Sequence, residues 1–411
     1  MQEAPPNPWL RVFLPFALGY FLSYFLRTVN AVISPDLTAE LALDDDALGL
    51  LTAAYFLAFA LAQIPLGIAL DRFGPRVIEG GLLLVTAAGT VLFALGESAS
   101  TLGIARAMIG LGVSACLMAS LKGLAMWYPL ERRGAMTANI MAAGAFGALT
   151  SSAPVEAMLP FLGWRGVFWV ITAMAVGVAV YLLISLPRTA TPGAKESLGD
   201  SLREVVKVFR SRGFWRYAPS AFFMTGGFMA LQSLWTMAWL LEVNGLEAPK
   251  AAGVLFALNL GMLAGQLFIG TFGTRAARAG FGPPSWLRVG FGLTLAAEVV
   301  IVLGFGHSGM GPALLWFTVG LAMAVNGQGY LAAAEYFPVA SFSRVSTAIN
   351  LLAFIGAFAV QWGIGVLLTL LQAAGSTRAS ALKVAVVCLI VAQIASVIPV
   401  YAGSRARPVV Q

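Results

Sequence analysis

Residues Gly67-Ile68-Ala69-Leu70-Asp71-Arg72-Phe73-Gly74-Pro75-Arg76 place three charges, two glycines and a proline between two apolar runs, 47–70 and 77–96. Each run has about the 20 residues a helix needs to cross a bilayer. The charged stretch is too short to be a domain and too polar to lie in lipid, so it reads as a tight connection between two membrane spans. Working outward, the same alternation recurs along the chain. It gives twelve expected spans, at 11–35, 47–70, 77–96, 99–127, 134–160, 165–186, 215–241, 250–272, 286–306, 310–336, 345–372 and 379–402. Lipid leaves no water for unpaired backbone groups, so apolar runs of this length are helices.

Composition agrees. Of 411 residues 59% are hydrophobic and 10% charged, where a soluble domain carries about 25% charged residues, and the mean hydropathy is +0.85. The 45 glycines suit close helix packing in lipid. Cys116 and Cys388 sit in apolar runs and His307 is a lone loop histidine, so no disulfide framework, metal site or cofactor is expected. There is no Ser/His/Asp set and no phosphate-cradling loop, which argues against an enzyme. The net charge of +7 does not indicate nucleic acid, because the basic residues occupy alternate loops. Arg11, Arg72, Arg76, Arg132, Arg133, Arg275, Arg278, Arg288, Arg344, Arg405 and Arg407 fall on one side; Arg165, Lys250, Arg378 and Lys383 fall on the other, with Asp36, Glu40, Asp44, Asp45 and Asp46. The basic side is cytoplasmic by the positive-inside rule, which puts both termini inside. The first apolar run is too long for a signal-peptide core, so no cleavable leader is expected.

The halves repeat. Arg133 and Asn139 are matched by Arg344 and Asn350 at an offset of 211, and Gln63 and Gly67 by Gln266 and Gly270 at an offset of 203. The expected fold is all-α, twelve transmembrane helices in two pseudo-symmetric six-helix bundles, 1–187 and 214–411. The charged segment 188–213 joins them as a cytoplasmic linker carrying a short amphipathic helix near 199–211. A duplication of this kind places a substrate site near the membrane midplane.

The Gly67–Arg76 stretch resembles the G-x-x-x-D-R-x-G-x-R signature of the major facilitator superfamily at all five defined positions, Gly67, Asp71, Arg72, Gly74 and Arg76. The resemblance implies that these residues, with Arg133, form a conformational gate. The second-half counterpart, Gly270 to Arg278, has Thr274 where Asp71 would align. Trp127-Tyr128-Pro129-Leu130-Glu131-Arg132-Arg133-Gly134 and Gly163-Trp164-Arg165-Gly166-Val167-Phe168 look like stretches of the organic-anion and sugar-phosphate members. Tyr24-Phe25-Leu26-Arg27 is similar to their Y-x-D-R motif, with Leu26 in place of the acid.

An arginine inside an apolar span is costly unless it faces a partner or a watery cavity. Tyr20, Ser23, Tyr24 and Arg27 share one helical face, and a guanidinium matches carboxylate or phosphate. Relatives contact substrate with the arginine at this position. The competing reading of Arg27 is snorkelling to the outer interface. Lys122 reads as a second cavity cation or as snorkelling inward. Arg106 reads as structural, pairing with the outer acidic loop or a helix end. At an offset of 205, Gln232 stands opposite Arg27, on a face with Thr225, Phe228, Trp235 and Trp239. The absence of a second arginine there favours a singly charged anion over a phosphate ester. Tyr55, Asn259, Asn326, Gln328, Asn350 and Gln361 complete the expected substrate-binding set. Glu156, in the outer half of the fifth span, is the candidate proton site.

The expectation is a monomeric secondary transporter in the bacterial inner membrane. Its cargo is a small organic anion, a carboxylate first, coupled to a proton, to a counter-anion or to neither. Drug or metabolite efflux, or a transporter-like membrane sensor, are the competing readings.

Overall fold

The computed structural model describes residues 7–187, 198–306, 309–338 and 341–402. His307, Lys195, Glu196, Arg405 and Arg407 lie outside the described residues. Among the described residues every regular element is helical.

A π-helical turn, Trp9–Phe13, leads into α1 (Leu14–Leu41). α2 (Asp45–Leu95) contains both the second and the third expected spans, with no break between them except Gly74 at φ 78°. A side chain rarely tolerates that conformation, so the glycine of the opening stretch is the hinge between two spans. α3 (Ala99–Val113) and α4 (Cys116–Trp127) make the fourth span. α5 (Leu130–Thr150) ends early: the expected fifth span, 134–160, is broken at Ser151–Ser152. Its outer part continues as the start of α6 (Ala153–Ser185), which carries the sixth span beyond a second positive-φ hinge, Gly163 at 61°. Glu156 therefore lies in the first turn of α6.

α7 (Leu198–Phe209) is a helix within the charged segment expected as a linker. The seventh span is assembled from α8 (Ala218–Ser220), α9 (Gly226–Ala230) and α10 (Thr236–Glu242), with π-helical turns at Ala221–Thr225 and Leu231–Trp235 between them. These wide turns overturn the single 3.6-residue face expected for Thr225, Phe228, Gln232, Trp235 and Trp239, because each shifts the register. α11 (Ala248–Arg278), α12 (Pro283–Val302), α13 (Gly311–Met323) with α14 (Asn326–Ala334), α15 (Phe342–Ala373) and α16 (Arg378–Tyr401) supply the last five spans. Large apolar side chains such as Phe161, Ile184 and Leu61 face outward, as a lipid-facing surface requires.

Contacts divide the chain into two units, Met1–Leu43 with Ala54–Ser201, and Asp44–Ala53 with Leu202–Gln411. The same close approaches hold each unit together. In the first, α5 crosses α1 where a Cβ on Gly147 would lie 3.0 Å from the Phe21 carbonyl carbon; in the second, α15 crosses the seventh span where Gly356 would lie 2.8 Å from that of Phe222. Likewise Gly110 of α3 rests on the backbone of Tyr55 in α2, and Gly320 of α13 on that of Leu258 in α11. From Tyr55 to Leu258 the offset is 203, and from Gly110 to Gly320 it is 210. These match the offsets between the sequence motifs, so the internal repeat is a repeat of glycine-on-backbone crossings. From Phe21 to Phe222 the offset is 201, which puts Phe228 at the position equivalent to Arg27, where the offset of 205 had put Gln232.

Candidate substrate-binding site

In the first unit the stripe on α1 meets α2. Tyr20 and Tyr24 pack edge to face with centroids 5.1 Å apart, and Tyr20 Oη points to Met141 Sδ at 3.6 Å. Glycine at 144 lets both rings press against α5. Arg27 is buried, 4% exposed, with its guanidinium 4.2 Å from the Tyr24 ring centroid and 5.9 Å from that of Phe59. It hydrogen-bonds the Tyr55 hydroxyl, which itself donates to the Ser23 carbonyl at 3.1 Å. Arg27 thus lies among aromatic rings deep in the unit, which overturns the snorkelling reading.

Arg106 joins this group from α3. It is fully buried, donates from Nη1 to the Leu26 carbonyl at 2.8 Å, and lies 4.9 Å over the Tyr55 ring. Its Nε and Nη2 have no hydrogen-bond partner. The expected pairing with the outer acidic loop is not formed: Glu40 accepts instead from Trp164 Nε1 at 2.6 Å and from Arg165. One tyrosine therefore carries a guanidinium on its hydroxyl and another on its ring face. Burying two like charges together is expensive in a medium of low dielectric, and an anion relieves that cost. Phe59 and Arg106, which the structure groups with Arg27 and Tyr55, were not grouped with them in the sequence. The signal that could have found Arg106 is the one used for Arg27, an arginine inside an apolar run.

Lys122 lies elsewhere. Its Nζ contacts Asp71 at 2.6 Å and the Leu70 carbonyl at 2.7 Å. It thereby ties α4 to the Gly67–Arg76 stretch. There Arg76 Nε donates to the Leu183 carbonyl at 2.8 Å, Arg72 stacks on Phe73 at 5.3 Å, and Gly67 has open space beside it. Arg133 caps the end of α4, donating to the carbonyls of Tyr128 at 2.9 Å and Ala125 at 2.7 Å. Glu156 is half-buried.

The second unit gathers neutral groups. Gln232 Nε2 donates to Asn259 Oδ1 at 2.7 Å. Ser233 bonds Gln361 Oε1 at 3.1 Å, and Trp235 Nε1 donates to the Gln361 carbonyl at 3.0 Å. Gln361 Nε2, Trp239 Nε1 and Thr236 Oγ1 are buried without partners. Asn326 accepts from Thr225 at 3.1 Å and Asn350 from Tyr330 at 2.9 Å, beside a water-sized cavity that Asn326 and Tyr330 help to line. Gln328 is half-buried on α14, midway in sequence between Asn326 and Tyr330. Arg378 holds Asp45, at 2.8 Å, and Glu242, at 2.7 Å.

The family profile described as Major Facilitator Superfamily matches residues 16–361. Among curated relatives, a probable hexose phosphate transport protein of Chlamydia pneumoniae is 22% identical over 67% of this chain and 66% of its own length. A probable L-galactonate transporter of Escherichia coli is 26% identical over 47% of this chain and 46% of its own length. A putative tartrate transporter of Agrobacterium vitis is 24% identical over 78% and 69%. The chain thus spans about two thirds of the first of these and under half of the second. Among solved structures, an inward-facing bacterial homologue of the human lysosomal transporter Spinster superposes with a TM-score of 0.75 at 19% identity, covering 96% of this chain and 97% of the other. A D-xylose–proton symporter gives 0.74 at 16%, covering 95% and 96%.

Proposed function

Because this chain belongs to the Major Facilitator Superfamily, a multi-pass membrane transport protein and not an enzyme, we propose that it moves a small hydroxylated carboxylate across the bacterial inner membrane by alternating access, as a monomer with both termini in the cytoplasm. The observation that carries this reading is the pair of buried guanidinium groups, Arg27 and Arg106, joined through Tyr55. Two planar forks suit a carboxylate, with Tyr20 and Tyr24 walling the site. The seventh span offers no second arginine. The second unit, by itself, gathers neutral amide and indole groups, Gln232, Trp235, Asn259 and Gln361, with Asn326, Gln328 and Asn350 as further polar positions. Such groups suit hydroxyls better than a second charge, which favours a sugar acid over a sugar phosphate. Gly67, Asp71, Arg72, Gly74, Arg76 and Arg133 form the conformational gate, and Lys122 belongs to that gate through Asp71.

The test is thermal stabilisation of the purified protein by L-galactonate, tartrate, glucose 6-phosphate and, as a neutral control, glucose. A ligand at 100 times its Kd stabilises the folded state by about 2.7 kcal/mol. The reading expects a shift with a hydroxy acid that disappears in Arg27→Gln. A shift that survives in Arg27→Gln, or an equal shift with glucose, refutes it.

A further inference from the structure

Glu79 follows Arg76 by three residues and was not singled out in the sequence. The structure buries it completely, at 0% exposure, between α1, α2 and α4. It reaches this position because residue 19 is glycine. A Cβ there would collide with Glu79 Oε1 and would lie 3.5 Å from Glu79 Cδ and 3.8 Å from Cys116 Sγ. Neither carboxylate oxygen makes a hydrogen bond of ordinary geometry. The polar neighbour within reach is the Cys116 thiol, a weak donor.

Among the described residues the surroundings hold no counter-charge. On its own span, Arg76 is engaged with the Leu183 carbonyl. From α6, Leu183 packs on Gly80. From α4 the facing group is Cys116, whose carbonyl accepts from the Ser120 hydroxyl, while Lys122 is held by Asp71. From α1 the facing residue is Gly19 itself, and the neighbouring Tyr20 is turned to Met141. Among the described residues no lysine or arginine reaches Glu79.

Its depth follows from helix geometry. Gly19 is ten residues into the helix that begins at Trp9, and Cys116 is eleven residues before the end of α4 at Trp127. At 1.5 Å per residue these are about 15 and about 16 Å from those helix ends, while on its own span Glu79 is five residues, about 7.5 Å, beyond the Gly74 hinge. The carboxyl therefore lies within the bundle, in the half of the span nearer the Gly67–Arg76 connection. A bare carboxylate enclosed in this way is costly, and a bound proton removes that cost. Glu156, half-buried in the first turn of α6, has no such enclosure.

From this enclosure, unpaired chemistry and depth we infer that Glu79 is a proton-binding site through which the first unit couples transport to a proton. The O–H bond forms on Glu79 when water from the outer side delivers a proton. It breaks when separation of α1 from α4 admits water from the cytoplasmic side to take the proton away. Only the coupling rests on the transport reading above; the proton site stands without it.

Two measurements on the wild-type protein need no substrate. In infrared spectra recorded from acid to alkaline pH, the carbonyl band of a protonated carboxylic acid is expected, and it is expected to be missing from Glu79→Gln. Dicyclohexylcarbodiimide, which labels protonated buried carboxyls, is expected to modify Glu79 in the wild type, read by mass spectrometry. A band unchanged in Glu79→Gln, or no labelling of Glu79, overturns the proton site. In proteoliposomes, Glu79→Gln is expected to keep L-galactonate counterflow at equal pH and to lose accumulation driven by a pH gradient. Gradient-driven accumulation at the wild-type level in that variant overturns the coupling.

Discussion

Gly110→Ala is expected to loosen the proposed anion site without touching any of its side chains. A Cβ at position 110 would sit 2.9 Å from both the Cα and the carbonyl carbon of Tyr55, and closer still to the oxygen. Ordinary contact begins at 3.4 Å, so α3 must move from α2 by at least about half an ångström. The obstacle is backbone on both sides, and no side-chain rotation can relieve it. Overpacking of this kind costs about 1–3 kcal/mol. The displaced residue is the one that carries both Arg27 and Arg106, so the two guanidinium groups lose their common register. Loss of one charged hydrogen bond to a bound anion costs about 1.5–3 kcal/mol, roughly 10- to 150-fold in Kd. The assay is a thermal melt of the purified variant with and without L-galactonate, beside Gly253→Ala, whose Cβ meets nothing within 4 Å. The expected result is a lower melting temperature and a weakened ligand shift for Gly110→Ala alone. A Gly110→Ala protein that melts and binds like the wild type refutes the claim that this crossing holds the site in register.

Other expectations follow from the same contacts. Arg106→Gln removes the second guanidinium and should weaken anion binding at least about tenfold, about 1.4 kcal/mol, in titration calorimetry; unchanged affinity would make Arg106 a helix tie to Leu26 only. For Lys122 and Asp71, whose side chains are 25% and 66% exposed, a double-mutant cycle should give a coupling of about 0.2–1 kcal/mol, with anion affinity unaltered in Lys122→Ala; a tenfold loss of affinity would return Lys122 to the binding site. Arg378→Ala leaves the buried Asp45 with Gln372 as its remaining side-chain donor and should destabilise the second unit by about 1–3 kcal/mol, read as a lower melting temperature.

The family and its helical architecture were legible because their signals are local. Gly67–Arg76 carries its pattern in ten consecutive residues, and each apolar run declares its own length. The hinge at Gly74 was also local, since a glycine beside a proline stands where the chain must turn. What escaped depends on tertiary approach. Hydropathy is indifferent to a wide helical turn, so the register shifts at Ala221–Thr225 and Leu231–Trp235 left no trace in composition. Arg106 was visibly expensive, but its partners, Tyr55 and the Leu26 carbonyl, lie 51 and 80 residues away. Glu79 stands three residues after a basic loop, and no local pattern set it apart. Its burial is caused by a glycine on another helix, 60 residues earlier, that no pattern around Glu79 records. The repeat was visible as motif offsets, yet its physical content, glycine packed on backbone at Gly110 and Gly320, required the structure.

The most direct test of the account is exchange in proteoliposomes, with labelled L-galactonate, tartrate or glucose outside and the same unlabelled compound inside, comparing wild type, Arg27→Lys and Arg27→Gln. The account predicts that the wild type exchanges a hydroxy acid and not glucose, that Arg27→Lys, which keeps the charge but loses the planar fork, exchanges it more weakly, and that Arg27→Gln does not exchange it. Exchange of the acid by Arg27→Gln at the wild-type rate, or of glucose by the wild type as fast as the acid, would contradict it.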